Sequence, residues 1–260
     1  MSAAGLPPEN LYGHTKKLRF ILERVEAFRR ARGRPVRLLD FGCGNGTAVS
    51  RFLAGPGVRY HGVDVHPESL DHARRCFGSA EATFHDRVPE GVEFDVIVYA
   101  DVLEHLADPA AVLREHAARL VADGLVLGAV PNGWGPFEME HRLIRLPGVR
   151  HAIRLGGRLR RLGAPHPPPP ADALPYNLAS GHVQFFTLPA LRRCLRSAGL
   201  EPAEVRNGAW VGAPISERFL LRGEAVARAN ARAADFLPHW MVSTWYFAAV
   251  PAPTRPARSP

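Results

Sequence analysis

The sequence predicts an α/β fold: a doubly wound, mostly parallel sheet with helices on both faces. Three observations carry this. Short apolar stretches alternate with amphipathic or helix-forming ones along most of the 260 residues. The apolar stretches are nearly continuous, as in strands buried on both faces. The first of them runs straight into "GCGNG", glycines at alternate positions before a helix-forming run, a strand–turn–helix layout suited to holding a ligand.

In chain order, residues 9–33 read as a helix, with Leu18, Ile21, Leu22, Val25 and Phe28 on one face and Gly33 and Pro35 ending it. "VRLLDFG" is the first strand and "GTAVSRFLA" its helix. "VRYHGVDV" is the second strand, followed by the helix "PESLDHARRCF" with proline at its start. "ATFHD" and "FDVIVYAD" are the third and fourth strands. "PAAVLREHAARLVADG" reads as a helix and "LVLGAVPNG" as the fifth strand. The alternation breaks at Gly133. Residues 133–181 hold an arginine-studded amphipathic piece and then "APHPPPPADALP", which is extended or polyproline-like because proline cannot occupy a helix interior. "SGHVQFFTLPALRRCLRSAGL" is a turn or strand and a helix. "EPAEVRNGAW" is a strand, residues 216–235 a helix, and "HWMVSTWYFAAV" the last strand.

Composition narrows the function classes. Net charge is +8, and all but Lys16 and Lys17 of the 33 basic residues are arginine. That balance suits an acidic partner or a solvated surface equally, and no nucleic-acid-binding motif accompanies it, so no nucleic-acid partner is expected. The abundance of Arg, Ala, Gly and Pro points to a GC-rich bacterial genome. The three cysteines, Cys43, Cys76 and Cys194, have no metal-ligand spacing, no apolar run is long enough for a bilayer, and the first residues lack a signal-peptide layout. The expected location is cytoplasmic.

The glycine loop is not a dinucleotide fingerprint, which is G-x-G-x-x-G, nor a P-loop, which needs G-K-[ST]. It reads Asp40-x-Gly42-x-Gly44-x-Gly46. A carboxylate at the mouth disfavours phosphate and favours a cation. Asp64 ends the second strand, where an acid can accept both ribose hydroxyls of a nucleoside. Together they describe a site for a positively charged adenosine-type ligand without phosphate.

"LLDFGCGNG", "GVDVHPESLDHAR", "FDVIVYADVLEHLADPAAVLREHAARLVADG" and "VPNG" resemble, in order and spacing over residues 36–132, the class I S-adenosylmethionine-dependent methyltransferases. "GHVQFFTLPALRRCLRSAGLEPAEV" is similar to the subgroup of ubiquinone-biosynthesis O-methyltransferases and related small-molecule enzymes. The resemblance implies a seven-stranded sheet with an antiparallel last strand, "STWYFAAV". It implies S-adenosylmethionine as cofactor and a small-molecule methyl acceptor, with O-methylation favoured over N- or C-methylation; a non-catalytic cofactor-binding protein is the alternative from another class. One domain is expected: an N-terminal extension (1–35), a cofactor half (36–132), an inserted lid (133–181), a sheet-completing part (182–250) and a tail (251–260).

Carried over residue by residue, Gly42, Gly44 and Gly46 let the loop pass beneath the methionine part of the cofactor. Asp40 orients the loop and favours the cationic end. Asp64 binds the ribose, Val65 lies on the adenine, and Asp86 is the acid near the adenine amino group. Each has a plainer reading: a tight turn for the glycines, a helix N-cap for Asp64, an ordinary loop acid for Asp86. Asp101, expected at the cofactor, shares a face with Glu104 and His105 if a helix starts there. In the similar O-methyltransferases two acids and a histidine at this spacing go with a divalent metal, yet D-x-x-E is also a capping box. The capping role is preferred, so no metal is expected and a chelator should leave activity intact. His105 and His182 are the candidate catalytic residues, with a structural role open for His182. Tyr12 and His14 sit on a helix that closes over the site or on plain surface. The arginine and leucine mix of 140–162 suits a lid over an anionic or lipid-like acceptor or a contact with an acidic membrane surface.

Overall fold

The computed structural model describes residues 5–146, 148–149, 181–212 and 223–253. Its centre is a seven-stranded sheet. The strands are β1 (Val36–Phe41), β2 (Val58–Val63), β3 (Ala82–His85), β4 (Phe94–Ala100), β5 (Leu120–Pro131), β6 (Leu200–Asn207) and β7 (Thr244–Pro251). Their spatial order is β3-β2-β1-β4-β5-β7-β6. The pairs among β1 to β5 are parallel, and β7 inserts antiparallel between β5 and β6. The chain runs outward from β1 to β3, returns, and runs the other way from β4. The switch point therefore lies between β1 and β4, where an open α/β sheet leaves a crevice at the strands' carboxyl ends.

The helices are α1 (His14–Arg32), α2 (Ser50–Leu53), α3 (Pro67–Phe77), α4 (Pro109–Ala117), α5 (Pro136–Ile144), α6 (Leu188–Ser197) and α7 (Glu224–Ala233). β4 shows how both faces are covered. Val96 and Val98 join Leu18, Ile21 and Val25 of α1 in one core cluster. Ile97 and Tyr99 point the other way, into a cluster with Leu113, Leu191 and Leu195 of α4 and α6. Period-two side chains in a fully apolar strand produce this double burial.

Four elements differ from the sequence reading, each for a local reason. α1 starts at His14 because Gly13 has φ 72, and the Glu9 carboxylate caps it by accepting from the amides of Thr15 and Lys16. Tyr12 thus precedes the helix. After the glycine loop only Ser50–Leu53 is helical, since the Asn45 side chain takes the amide and hydroxyl of Thr47 and holds that stretch as a turn. α4 ends at Ala117, and residues from Leu120 belong to β5: Phe94 donates to the Arg119 carbonyl and pairs with Leu120, so the sheet claims "LVADG". No helix starts at Asp101. Residues 216–222 of the expected late helix, and 150–180 of the arginine- and proline-rich insertion, lie outside the described residues.

Candidate active site

The carboxyl ends of β1, β2 and β4 converge on the glycine loop. The amides of Gly42 and Cys43 both donate to the Val63 carbonyl, at 2.7 and 3.0 Å, which folds the loop back onto β2. Gly42, Gly44 and Gly46 have φ of 79°, 56° and 81°. Two of them are hemmed in: a Cβ on Gly42 would collide with Val102, and one on Gly46 would meet the Phe77 ring at 2.7 Å. A Cβ on Gly44 would meet nothing within 4 Å, so this backbone is the one open to a guest. Gly42→Ala should therefore lower the melting temperature markedly, through left-handed strain of about 1–2 kcal/mol plus overpacking. Gly44→Ala should cost only the strain and should weaken ligand binding instead. Thermal melts beside ligand titrations check the split.

Asp40 braces the loop, but from beneath it and not at the mouth. It is buried beneath the loop, where it accepts from the Tyr60 hydroxyl at 2.6 Å and from Ser50 Oγ at 3.2 Å. Burial pushes its carboxyl up to about 6. It braces the loop against β2 and α2 rather than meeting a ligand at the mouth, because the phenol and the hydroxyl claim it. Asp64 lies at the mouth. Its two oxygens accept from the amides of Gly44, at 2.8 Å, and His66, at 2.9 Å. The N-cap of α3 is His66, so Asp64 does not cap that helix. Val65 beside it is an apolar side chain that is 79% exposed. Asp86 follows β3, is 69% exposed and sits 3.5 Å from the Arg87 guanidinium.

Asp101 takes φ 59 at the end of β4, and its carboxylate forms an ion pair with Lys17, which reaches in from α1. His14, one turn before, is mostly buried, which with the Lys17 charge lowers its pKa. Tyr12 meets Phe137 edge-on at 6.2 Å. The N-terminal segment therefore packs over the strand ends. Lys17 was missed in the sequence, although it is one of two lysines among 33 basic residues.

The capping box is not formed. Glu104 lies in a one-turn 3-10 helix, Leu103–His105, while α4 is capped by Asp108, which accepts from the Ala111 amide. Glu104 is 1% exposed, and its Oε2 has no hydrogen-bond partner among the described residues. Burial and the neighbouring Asp101 charge hold its carboxyl well above the usual range. The Glu104 carbonyl accepts from the amides of Val183 and Gln184, both at 2.9 Å, which straps residues 181–184 onto the turn. His182 and His105 thereby come together with ring centroids 4.9 Å apart. Glu104, His105 and His182 each offer a ligand atom, all within 4.8 Å of one another. His182 Nδ1 also bonds Glu138 Oε1 of α5 at 2.6 Å. Nothing in the sequence pairs Glu138 with a residue 44 positions on. Around the cluster Trp134 is exposed, with the Arg142 guanidinium 4.5 Å over its ring. Asn132 of "VPNG" is structural, donating to the carbonyls of Trp240 and Val242.

Comparison with known proteins decides what this arrangement belongs to. The sequence profile of the methyltransferase-domain family matches residues 12–205, most of the chain and all of the strand ends described above. The chain belongs to the class I S-adenosylmethionine-dependent methyltransferases. The methyltransferase is 29% identical over 184 residues to the ubiquinone biosynthesis O-methyltransferase of Bordetella pertussis, an alignment covering 66% of this chain and 64% of that one. It is 28% identical over 182 residues to the enzyme of the same name from Thiobacillus denitrificans, covering 65% and 66%. The chain thus spans just under two thirds of the length of these relatives. The fold is shared with an S-adenosylmethionine dependent methyltransferase structure from Listeria monocytogenes, at TM-score 0.55, 14% identity and coverage of 92% and 98%. It is shared also with the plantazolicin methyltransferase BpumL, at TM-score 0.52, 15% identity and coverage of 92% and 85%.

The cofactor of the methyltransferase is S-adenosylmethionine. The residues fit it: Gly44 offers open backbone, Val65 presents an exposed apolar side chain, and the acids Asp64, at the mouth, and Asp101 outnumber the one lysine beside them, which suits a sulfonium. The buried, unpartnered Glu104 oxygen beside two imidazoles also fits a divalent cation, which Glu104, His105 and His182 would hold. Among the described residues no helix is long and apolar enough to cross a membrane.

Proposed function

We propose that this methyltransferase moves the methyl group of S-adenosylmethionine to a hydroxyl oxygen of a small-molecule acceptor. The observation that carries the oxygen preference is the cluster of Glu104, His105 and His182 at the end of β4, next to the open loop backbone. A hydroxyl must shed its proton as the carbon–oxygen bond forms, and imidazole and carboxylate groups are the means to take it. A neutral amine needs no such group at the moment of transfer. The bound cofactor supplies an activated methyl on a good leaving group. The chain's part is to align the acceptor, accept its proton and exclude water. The names of the relatives point the same way.

In this reading Asp64 holds the ribose, Val65 and Asp86 flank the adenine, and Lys17 and Asp101 meet the methionine end. The described part of the insertion, residues 133–146, lies on the acceptor side of one domain. The exposed Met139 and Leu143 of α5 and Leu146 just after it, with Arg145, offer a face for an anionic membrane surface on the cytoplasmic side. Incubation with methyl-deuterated S-adenosylmethionine and either catechol or aniline, which differ in acceptor atom, tests the reaction. Labelled O-methyl catechol with S-adenosylhomocysteine in equal amount is expected. Labelled N-methylaniline alone would assign nitrogen as the acceptor. S-adenosylmethionine binding with no transfer to any acceptor would leave a binding protein.

The unpartnered Glu104 oxygen favours adding a divalent cation to this reading. Such an ion would supply Lewis acidity to the acceptor hydroxyl. The expectation that a chelator is harmless rested on the capping box, which is not formed. EDTA is therefore expected to lower turnover about tenfold or more, with recovery on adding magnesium or zinc. Full activity in EDTA would leave the cluster to proton transfer alone.

A further inference from the structure

We infer that Glu138 is a positioning residue for His182: it accepts the Nδ1 proton and thereby leaves Nε2 as the bare nitrogen of the imidazole. The inference rests on the proposed reaction, since it says how that site's histidine is held ready. Its geometry is a 2.6 Å hydrogen bond between Glu138 Oε1 and His182 Nδ1. The Glu138 side chain is 6% exposed, so water does not compete for it, and Oε1 is placed to accept from the ring. The proton must then sit on Nδ1.

The rest of the surroundings fixes the ring. The amides of Val183 and Gln184 are tied to the Glu104 carbonyl, and Gln184 Nε2 donates to the carbonyls of Leu106 and Ala107. The Gly133 amide donates to the Phe186 carbonyl. The rings of His105 and Phe137 stand 4.9 and 6.0 Å from that of His182. With backbone and Nδ1 both committed, Nε2 is the one nitrogen left to take the acceptor's proton or to bind a cation. A neutral histidine without such a partner favours the opposite tautomer, with the proton on Nε2, where it would be useless for both. Glu138 therefore serves the site through His182 rather than by touching the acceptor.

Tautomers are read directly from long-range proton–nitrogen NMR spectra of protein carrying labelled histidine, bound to S-adenosylhomocysteine. The His182 signals are those lost in His182→Gln. The wild type is expected to show Nδ1 protonated and Nε2 bare. In Glu138→Ala the ring is expected to move toward the Nε2-protonated form, with kcat for catechol falling about 10- to 100-fold. KM and cofactor affinity should stay within about twofold. Glu138→Gln, which keeps an acceptor oxygen in place, should restore the Nδ1-protonated tautomer and most of kcat. Nε2 protonated in the wild type, or the wild-type tautomer unchanged in Glu138→Ala, would overturn the inference and leave Glu138 as packing. If Glu138→Ala fails to fold, the wild-type and Glu138→Gln spectra decide. Should no acceptor be methylated, the proposed reaction fails while the tautomer still settles the role of Glu138.

Discussion

Replacing Asp64 with alanine is expected to weaken S-adenosylmethionine binding at least tenfold, and closer to a hundredfold, while the sheet remains folded. The carboxylate stands at the carboxyl end of β2, half-buried, with one oxygen on the Gly44 amide and the other on the His66 amide. Each oxygen keeps a lone pair for a ribose hydroxyl. A charge-assisted hydrogen bond is worth about 1.5–3 kcal/mol, and each 1.4 kcal/mol is a factor of ten in affinity. The substitution also frees the Gly44 amide, so the open part of the loop loses its anchor. The fold is protected, because β1 and β2 pair from Val36 with Val58 to Phe41 with Val63, and the loop still donates twice to the Val63 carbonyl. Asp64→Asn keeps one acceptor and should fall between the two. Calorimetry giving wild-type affinity for Asp64→Ala would remove Asp64 from the site.

Asp40→Asn is expected to raise stability above pH 7 and to leave it unchanged near pH 4. Burial lifts the folded carboxyl to about 6 from an ordinary value of 3.8. The protonated form is thus the one the fold prefers. The stability it contributes is complete below pH 3.8, declines as pH rises toward 6, and is gone above that. The difference of about two units corresponds to at most about 3 kcal/mol, at 1.36 kcal/mol per unit. Asparagine stays neutral and can still accept from Tyr60 and Ser50, so it avoids the loss. The gap in melting temperature between variant and wild type should open between pH 4 and 6 and then stay level at several degrees. A gap independent of pH would mean that the buried carboxylate carries no such cost.

What the sequence revealed and what it hid divide along range. α3 was legible to the residue and β1 to within one because their signals are local: proline at the start and an apolar stripe in the first, a continuous apolar run in the second. The turn after β1 and the position of Asp64 after β2 were legible because adjacent residues carry that pattern. "LVADG" was misread as helix because the choice is made by Phe94, a distant partner that pairs with Leu120. Asp101 and Glu104 looked like a cap at i and i+3. Lys17, 84 positions away, pairs with Asp101 instead, and the one-turn 3-10 helix that follows starts at Leu103. Glu138 was invisible for the same reason: a buried acid announces its partner only when the chain has folded.

A crystal structure of the complex with S-adenosylhomocysteine shows whether the strand ends around the glycine loop form the cofactor site. The ribose hydroxyls are expected on Asp64, the adenine against Val65, the homocysteine end over Gly44 toward Lys17 and Asp101, and the sulfur facing Glu104, His105 and His182. A nucleoside bound elsewhere, for instance in the polar groove between residues 6–9 and α7, or a ribose that does not touch Asp64, would contradict that site.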